Sequence, residues 1–161
     1  MLYPQITRLL KCDIQTDVRY KWRDFVDGGN ECLYGIPYYA RRVLQFNVEN
    51  KSVKEIGPDL GGRWRKYWNG IRAENGSIYC LPFRAKYLLK IITNQGQDAE
   101  VQILDNDQLP YDKWVAGALA NDGCIYYLPF HVFKCGATII LFLKYNLAEN
   151  FMFISDVYGY E

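Results

Sequence analysis

Three sets of residues have the types and spacing that could do chemistry. Arg63, Arg65 and Lys66 are interleaved with Trp64 and Trp68, the combination that holds a phosphate backbone or stacks on bases and sugars. Two short segments, Tyr38-Tyr39-Ala40-Arg41 and Phe83-Arg84-Ala85-Lys86, each place a cation three residues after an aromatic, an arrangement suited to an acidic partner. Asp105, Asp107 and Asp112 share one loop and offer oxygen to a hard cation, although EF-hand spacing is absent. The competing reading for all three is a solvated flank that does nothing specific. His131 is the single histidine and has no neighbour to orient it as a base or ligand. Gly61-Gly62 lacks the Gly-Lys-Ser/Thr of a phosphate loop, and no Gly-x-Ser-x-Gly elbow is present. The candidate binding residues are therefore Arg41, Lys86, Tyr38, Phe83, Arg63 and Arg65; no catalytic residue, metal ligand or cofactor is expected.

The formal net charge is +1, so no global field draws the chain to nucleic acid or anionic lipid. Trp64-Arg65-Lys66-Tyr67 resembles the opening of the WRKY DNA-binding signature, but Trp68-Asn69-Gly70 follows, and the zinc site of that family needs two histidines where this chain has one. Sequence-specific DNA binding is not expected. Aromatic residues make up 16% of the chain, which favours a β fold because such side chains fit a pleated, half-buried surface.

What positions these residues is an internal repeat. Cys32-Leu33-Tyr34-Gly35-Ile36-Pro37-Tyr38, Ser77-Ile78-Tyr79-Cys80-Leu81-Pro82-Phe83 and Cys124-Ile125-Tyr126-Tyr127-Leu128-Pro129-Phe130 share one pattern, with tyrosines 45 and 47 residues apart. A Lys–aromatic pair precedes each: Lys21-Trp22, Lys66-Tyr67 and Lys113-Trp114, with the aromatic always 12 residues before the tyrosine. This second landmark also explains Lys66-Tyr67 better than a DNA-binding motif does.

In the middle unit, residues 77–82 read as a strand, 87–92 as a second, 100–104 as a third and 114–119 as a fourth. Asn75-Gly76 and Asp122-Gly123 are hairpin chemistry, predicted as two-residue turns with left-handed residues that lead the chain into the next unit. Four short strands per unit of about 45 residues is the arithmetic of a propeller blade, in which neighbouring sheets bury each other's faces. The recurring Tyr and Trp are then mainly packing between blades.

The unit, with its Ile-Tyr-x-Leu-Pro strand and the following Ala-Arg/Lys-x-Val/Leu-Leu strand, resembles β-propeller repeats of the broad kelch/YVTN class. The resemblance implies an all-β fold of tandem four-stranded antiparallel repeats, a partial array of about three blades. It assigns residues 1–17 to an N-terminal flank and 18–131 to three units. The third departs after Phe130, where His131-Val132-Phe133-Lys134-Cys135-Gly136 replaces the expected strand, so 132–161 is expected as a degenerate segment or cap. Propellers of this type include binding scaffolds and enzymes acting on sugars or lactones with a divalent metal. The expectation is a non-catalytic binding or scaffold module, with the enzyme as the alternative. An open array exposes blade faces, so self-association or another protein is the expected partner.

The longest apolar stretch, Ala137 to Leu143, is too short for a membrane span. Five cysteines, none in a CxxC pair, and the absence of a signal-peptide pattern favour reduced thiols in an intracellular compartment. Cys32 and Cys124 occupy the same repeat position, which argues for a buried structural role.

Overall fold

The computed structural model describes residues 20–62, 65–94, 99–104, 114–129, 139–149 and 151–158. Among them are twelve strands and no helix. The first sheet is β1(Trp22–Asp27), β2(Cys32–Pro37), β3(Val43–Asn47) and β4(Val53–Ile56); the second is β5(Ile71–Arg72), β6(Ile78–Cys80), β7(Leu88–Ile92) and β8(Glu100–Leu104); the third is β9(Trp114–Leu119), β10(Cys124–Pro129), β11(Ile139–Asn146) and β12(Phe151–Tyr158). Each sheet is an antiparallel meander in chain order. The fold is all-β and propeller-like. The third sheet takes its last two strands from beyond residue 131, paired from Ile139 opposite Tyr158 to Asn146 opposite Phe151.

Strand grouping differs from the sequence reading in phase. Trp114–Leu119, predicted as the fourth strand of the middle unit, is the first strand of the third sheet, paired with β10. The reason is local. Residues 120–123 form a tight turn that forces β9 and β10 together, and the Gly-containing turns therefore lie within sheets and not between them. The turns also differ in type. Gly76 and Gly123 have φ of 82° and 72°, while Asn75 and Asp122 stay right-handed. The bonds Ala73 N to Ser77 O and Gly76 N to Ala73 O recur as Ala120 N to Cys124 O and Gly123 N to Ala120 O. This is a type I turn closed by a left-handed glycine, the three-residue hairpin. Glu31 holds the same left-handed position in the first sheet, at φ 62°.

The Asx residue of each turn does a second job. Asn30 and Asn75 donate to the hydroxyls of Tyr34 and Tyr79, at 3.0 and 3.2 Å, and the Tyr126 hydroxyl donates to Asp122 at 2.9 Å. The repeat tyrosine is thus tied to a residue four before it in all three sheets. Its ring satisfies the hydrophobic requirement while its polar tip stays paired.

Alternation along the strands decides which sheet each residue meets. Tyr34 and Ile36 pack with Ile78, Cys80, Leu89 and Ile91 in the first seam. The opposite face of the middle sheet, Tyr79, Leu81 and Leu88, packs with Trp114, Ile125 and Tyr127 in the second. Because it is covered on both sides, β6 is buried at every position. Between sheets, the first strands approach one another, β1 with β5 and β5 with β9. These strands line the inner side of the array, and glycine makes their approach possible. A Cβ on Gly70 would lie 2.9 Å from Ile36 Cδ1 and 3.1 Å from Val26 Cγ2; one on Gly117 would lie 2.6 Å from Ile71 Cδ1. Val26 and Ile71 face Tyr34 and Tyr79 across their hairpins, so the same knob meets the same glycine at both seams.

Cys32, Cys80 and Cys124 are buried free thiols. Burial pushes the Cys80 thiol well above its ordinary range, and Cys32 Sγ accepts from Gln45 Nε2 at 3.3 Å. Cys12 and Cys135 lie outside the described residues. No helix among the described residues is long and apolar enough to cross a membrane.

Substituting Gly117→Ala places a methyl group against Ile71, Tyr127 and the Tyr126 carbonyl. We expect urea unfolding to show a loss of about 1–3 kcal/mol, with exposed Ala116→Ser unchanged within about 0.5 kcal/mol.

Candidate functional site

The Lys–aromatic landmark opens each blade and determines what stands at one end of the first seam. The Lys21 carbonyl accepts from the N–H groups of Tyr38, Tyr39 and Ala40, at 2.9, 3.1 and 2.9 Å; the Lys66 carbonyl gathers Phe83, Arg84 and Ala85 in the same way, at 2.7, 3.2 and 3.3 Å. Both candidate bends are therefore folded around a single main-chain oxygen. The landmark aromatics close the other side. Trp22 Nε1 donates to Arg42 O at 3.0 Å, and the Tyr67 hydroxyl donates to Tyr87 O at 3.1 Å.

Lys66 joins the two blades. Its N–H donates to Tyr38 O at 2.8 Å. The residue is 3% exposed, and its ammonium donates to Gly62 O at 2.7 Å, Ala40 O at 3.0 Å and Tyr39 O at 3.4 Å. Burial, with the nearby Arg41 charge, lowers its pKa to about 8. This lysine lies inside the basic–aromatic string as a structural clamp between blades.

One extra residue follows each landmark aromatic. In sheets one and three the register shifts between Trp22 and Asp24 and between Leu128 and Pro129. In the middle sheet Tyr67 opposes Pro82 while Ile71 opposes Tyr79, which again leaves one residue over. Such a bulge re-aims a side chain at a sheet's rim. Arg23 and Trp68 hold this equivalent position in adjacent blades, and they meet: the Arg23 guanidinium carbon lies 3.5 Å from the Trp68 ring centroid and 5.5 Å from that of Tyr38.

Around this pair the rings of Tyr38, Tyr39, Trp68 and Phe83 are in contact, with centroids 4.9 Å apart for Trp68–Phe83, 5.8 Å for Tyr38–Trp68 and 4.8 Å for Tyr38–Tyr39. Arg65 Nε donates to the Tyr39 hydroxyl at 3.0 Å. Tyr38 and Phe83 are buried floor, whereas Arg23 and Arg65 are exposed rim. No described residue accepts a hydrogen bond or ion pair from Arg23, so its planar fork of donors is stacked in place and directed outward.

Of the sequence candidates, the structure brings Tyr38, Phe83 and Arg65 into this mouth. Arg41 is held apart: its guanidinium takes both carboxylate oxygens of Asp59, with Nε at 2.9 Å from each, and this pairing lowers the Asp59 pKa. Lys86 Nζ donates to the Tyr87 hydroxyl at 2.8 Å and lies over that ring. Arg63, His131, Asp105, Asp107 and Asp112 lie outside the described residues. Arg23 and Trp68 were missed as a pair. The available signal was their shared place one residue after the landmark aromatic, obscured because the bulge residue varies in type. Among the described residues no group of three or more His, Cys, Asp or Glu is placed to hold a metal ion.

No protein-family model matches the chain, and no curated protein matches it. Among solved structures it is similar to the crystal structure of a protein assigned as a gluconolactonase, with a TM-score of 0.51 and 8% identity over 83% of this chain. At that identity the likeness is one of fold. The chain spans about half the length of that protein, 48% of it being covered.

Unfolded, Lys66 titrates near its ordinary 10.5, and folded near 8, so the unfolded chain carries more protons between these values and stability rises with pH across that window. We expect Lys66→Met, which leaves three carbonyls without their donor, to cost about 1–3 kcal/mol near neutral pH. The wild-type advantage over this variant should widen from about pH 8 to 10.5, as read by chemical denaturation at each pH.

Proposed function

We propose that this chain is a non-catalytic binding module of propeller-like fold that takes an acidic, carboxylate-bearing partner at the Arg23–Trp68 mouth. The observation that supports the reading is the Arg23 guanidinium, stacked on the Trp68 ring beside Tyr38 and supplied with no acceptor by any described residue. A stacked guanidinium has already lost much of its rotational freedom, so less is lost when it forms two parallel bonds to a carboxylate. Arg65 on the same rim adds a second charge. Among the described carboxylates, Asp59 is paired with Arg41, and Asp122 with Tyr126 and Lys144, so neither competes for Arg23.

The alternative, part of a propeller enzyme acting on sugars or lactones with a divalent metal, is favoured by the fold likeness to the protein assigned as a gluconolactonase.

Titration with poly-glutamate at low salt, followed by tryptophan fluorescence, tests the first reading. We expect saturable binding that weakens with salt and falls roughly tenfold in Arg23→Gln. Equal binding by wild type and Arg23→Gln would contradict the assignment. Thermal unfolding of the same proteins with added calcium addresses the alternative, for which a rise of several degrees in Tm is the supporting result.

A further inference from the structure

The two interior seams follow one rule that the outer faces of the array complete. At each seam a side chain from the first strand of one blade meets a glycine at the first strand of the next: Val26 against Gly70, just before β5, and Ile71 against Gly117, within β9. The residue equivalent to the glycines in blade one is Phe25, 53% exposed. The residue equivalent to Val26 and Ile71 in blade three is Ala118, which faces Tyr126 across its hairpin and is exposed. At the outer faces the sizes are therefore exchanged, with a small residue where the knob should be and a large one where the hole should be. Phe25 would block a seam built like the interior ones, yet it is what an alanine knob leaves room for.

A second feature repeats the point. Lys66 secures the first seam by placing its ammonium among the carbonyls of the preceding blade's bend. Lys21 occupies the same position in blade one, and no described residue accepts a bond from its Nζ. Beside it, the face that would meet a preceding blade carries the half-buried Leu33 and Phe46, opposite each other on β2 and β3. On blade three the opposite face presents Leu128, 41% exposed, beside Tyr126. Both outer faces are thus apolar seam halves of complementary shape.

We propose that a second copy of this chain covers the two outer faces: two copies close head to tail, blade three of each docking on blade one of the other with Ala118 against Phe25. Six is the multiple of three blades that falls within the usual four to eight of a closed ring. A heterologous contact of this kind ends in a closed assembly when its rotation completes the ring. The assembly stands independently of the acidic-partner reading; it would set two Arg23–Trp68 mouths around one axis.

Light scattering coupled to size exclusion tests this on the full chain. A single species of twice 18.8 kDa is the expected result, and exposed Phe25→Glu should shift it to 18.8 kDa while retaining its β-type circular dichroism. For direct evidence of the seam, a Phe25→Cys chain and an Ala118→Cys chain should form a mixed disulfide dimer on oxidation when combined, and no more than the wild-type background when oxidised separately. A wild-type monomer, an open-ended polymer, or cross-linking no greater in the mixture than in the separate chains would overturn the proposal.

Discussion

A buried ammonium is costly unless its hydrogens are all accepted, and the arrangement around Lys66 turns that requirement into a joint. The side chain needs three carbonyls. One, Gly62 O, lies four residues before it; the other two, Ala40 O and Tyr39 O, belong to the bend of the preceding blade, whose Tyr38 O also accepts from the Lys66 N–H. Its own carbonyl is then left to organise the next bend, where it collects three successive N–H groups. One residue thereby links two blades through main chain and side chain together. The packing of Tyr34, Ile36, Ile78 and Ile91 supplies the larger part of the seam's stability, but it is nondirectional. The polar joint fixes which bend sits against which strand.

The rest of the mouth follows from that joint. With Tyr67 opposing Pro82 and Ile71 opposing Tyr79, the chain must take up one extra residue before Ile71, and Trp68 comes to lie against Tyr38, Phe83 and Arg23. Arg23 is delivered from blade one by the same device, and the two side chains meet because the first strands of successive blades are neighbours. The glycines at 70 and 117 permit that closeness. The mouth proposed as a binding site is thus a by-product of a structural irregularity repeated once per blade.

Much of the architecture was legible in the sequence, because the features that specify it are local. Turn residues at fixed offsets, the Pro-ended tyrosine strand and the Lys–aromatic landmark define strands whose spacing allows few alternatives. The phase was not legible. Whether residues 114–119 end one sheet or begin another depends on the type I turn at 121–122 and its left-handed Gly123, and Asp-Gly is compatible with more than one turn type. The site was half legible: Tyr38, Phe83 and Arg65 are in the mouth, whereas Arg41 is neutralised by Asp59, a partner 18 residues away that no repeat pattern predicts. Arg23 and Trp68 share a position without sharing a chemistry, so alignment by residue type passes over them. In the tyrosine motif, repetition hid a difference as well: Tyr34 and Tyr79 are buried by the next blade, while Tyr126 is half-exposed on an outer face.

Amide hydrogen exchange, resolved by residue, tests the joint most directly. If Lys66 ties the blades into one cooperative unit, the N–H groups of Lys66 and Tyr67, bonded to Tyr38 O and Pro37 O of the preceding blade, should exchange as slowly as those of Ile78, Tyr79 and Cys80 within the middle sheet, all through global unfolding. Rapid exchange at Lys66 and Tyr67 beside protected strand amides would contradict the account, because it would mean that the blades separate at this seam without unfolding and that Lys66 does not hold them together.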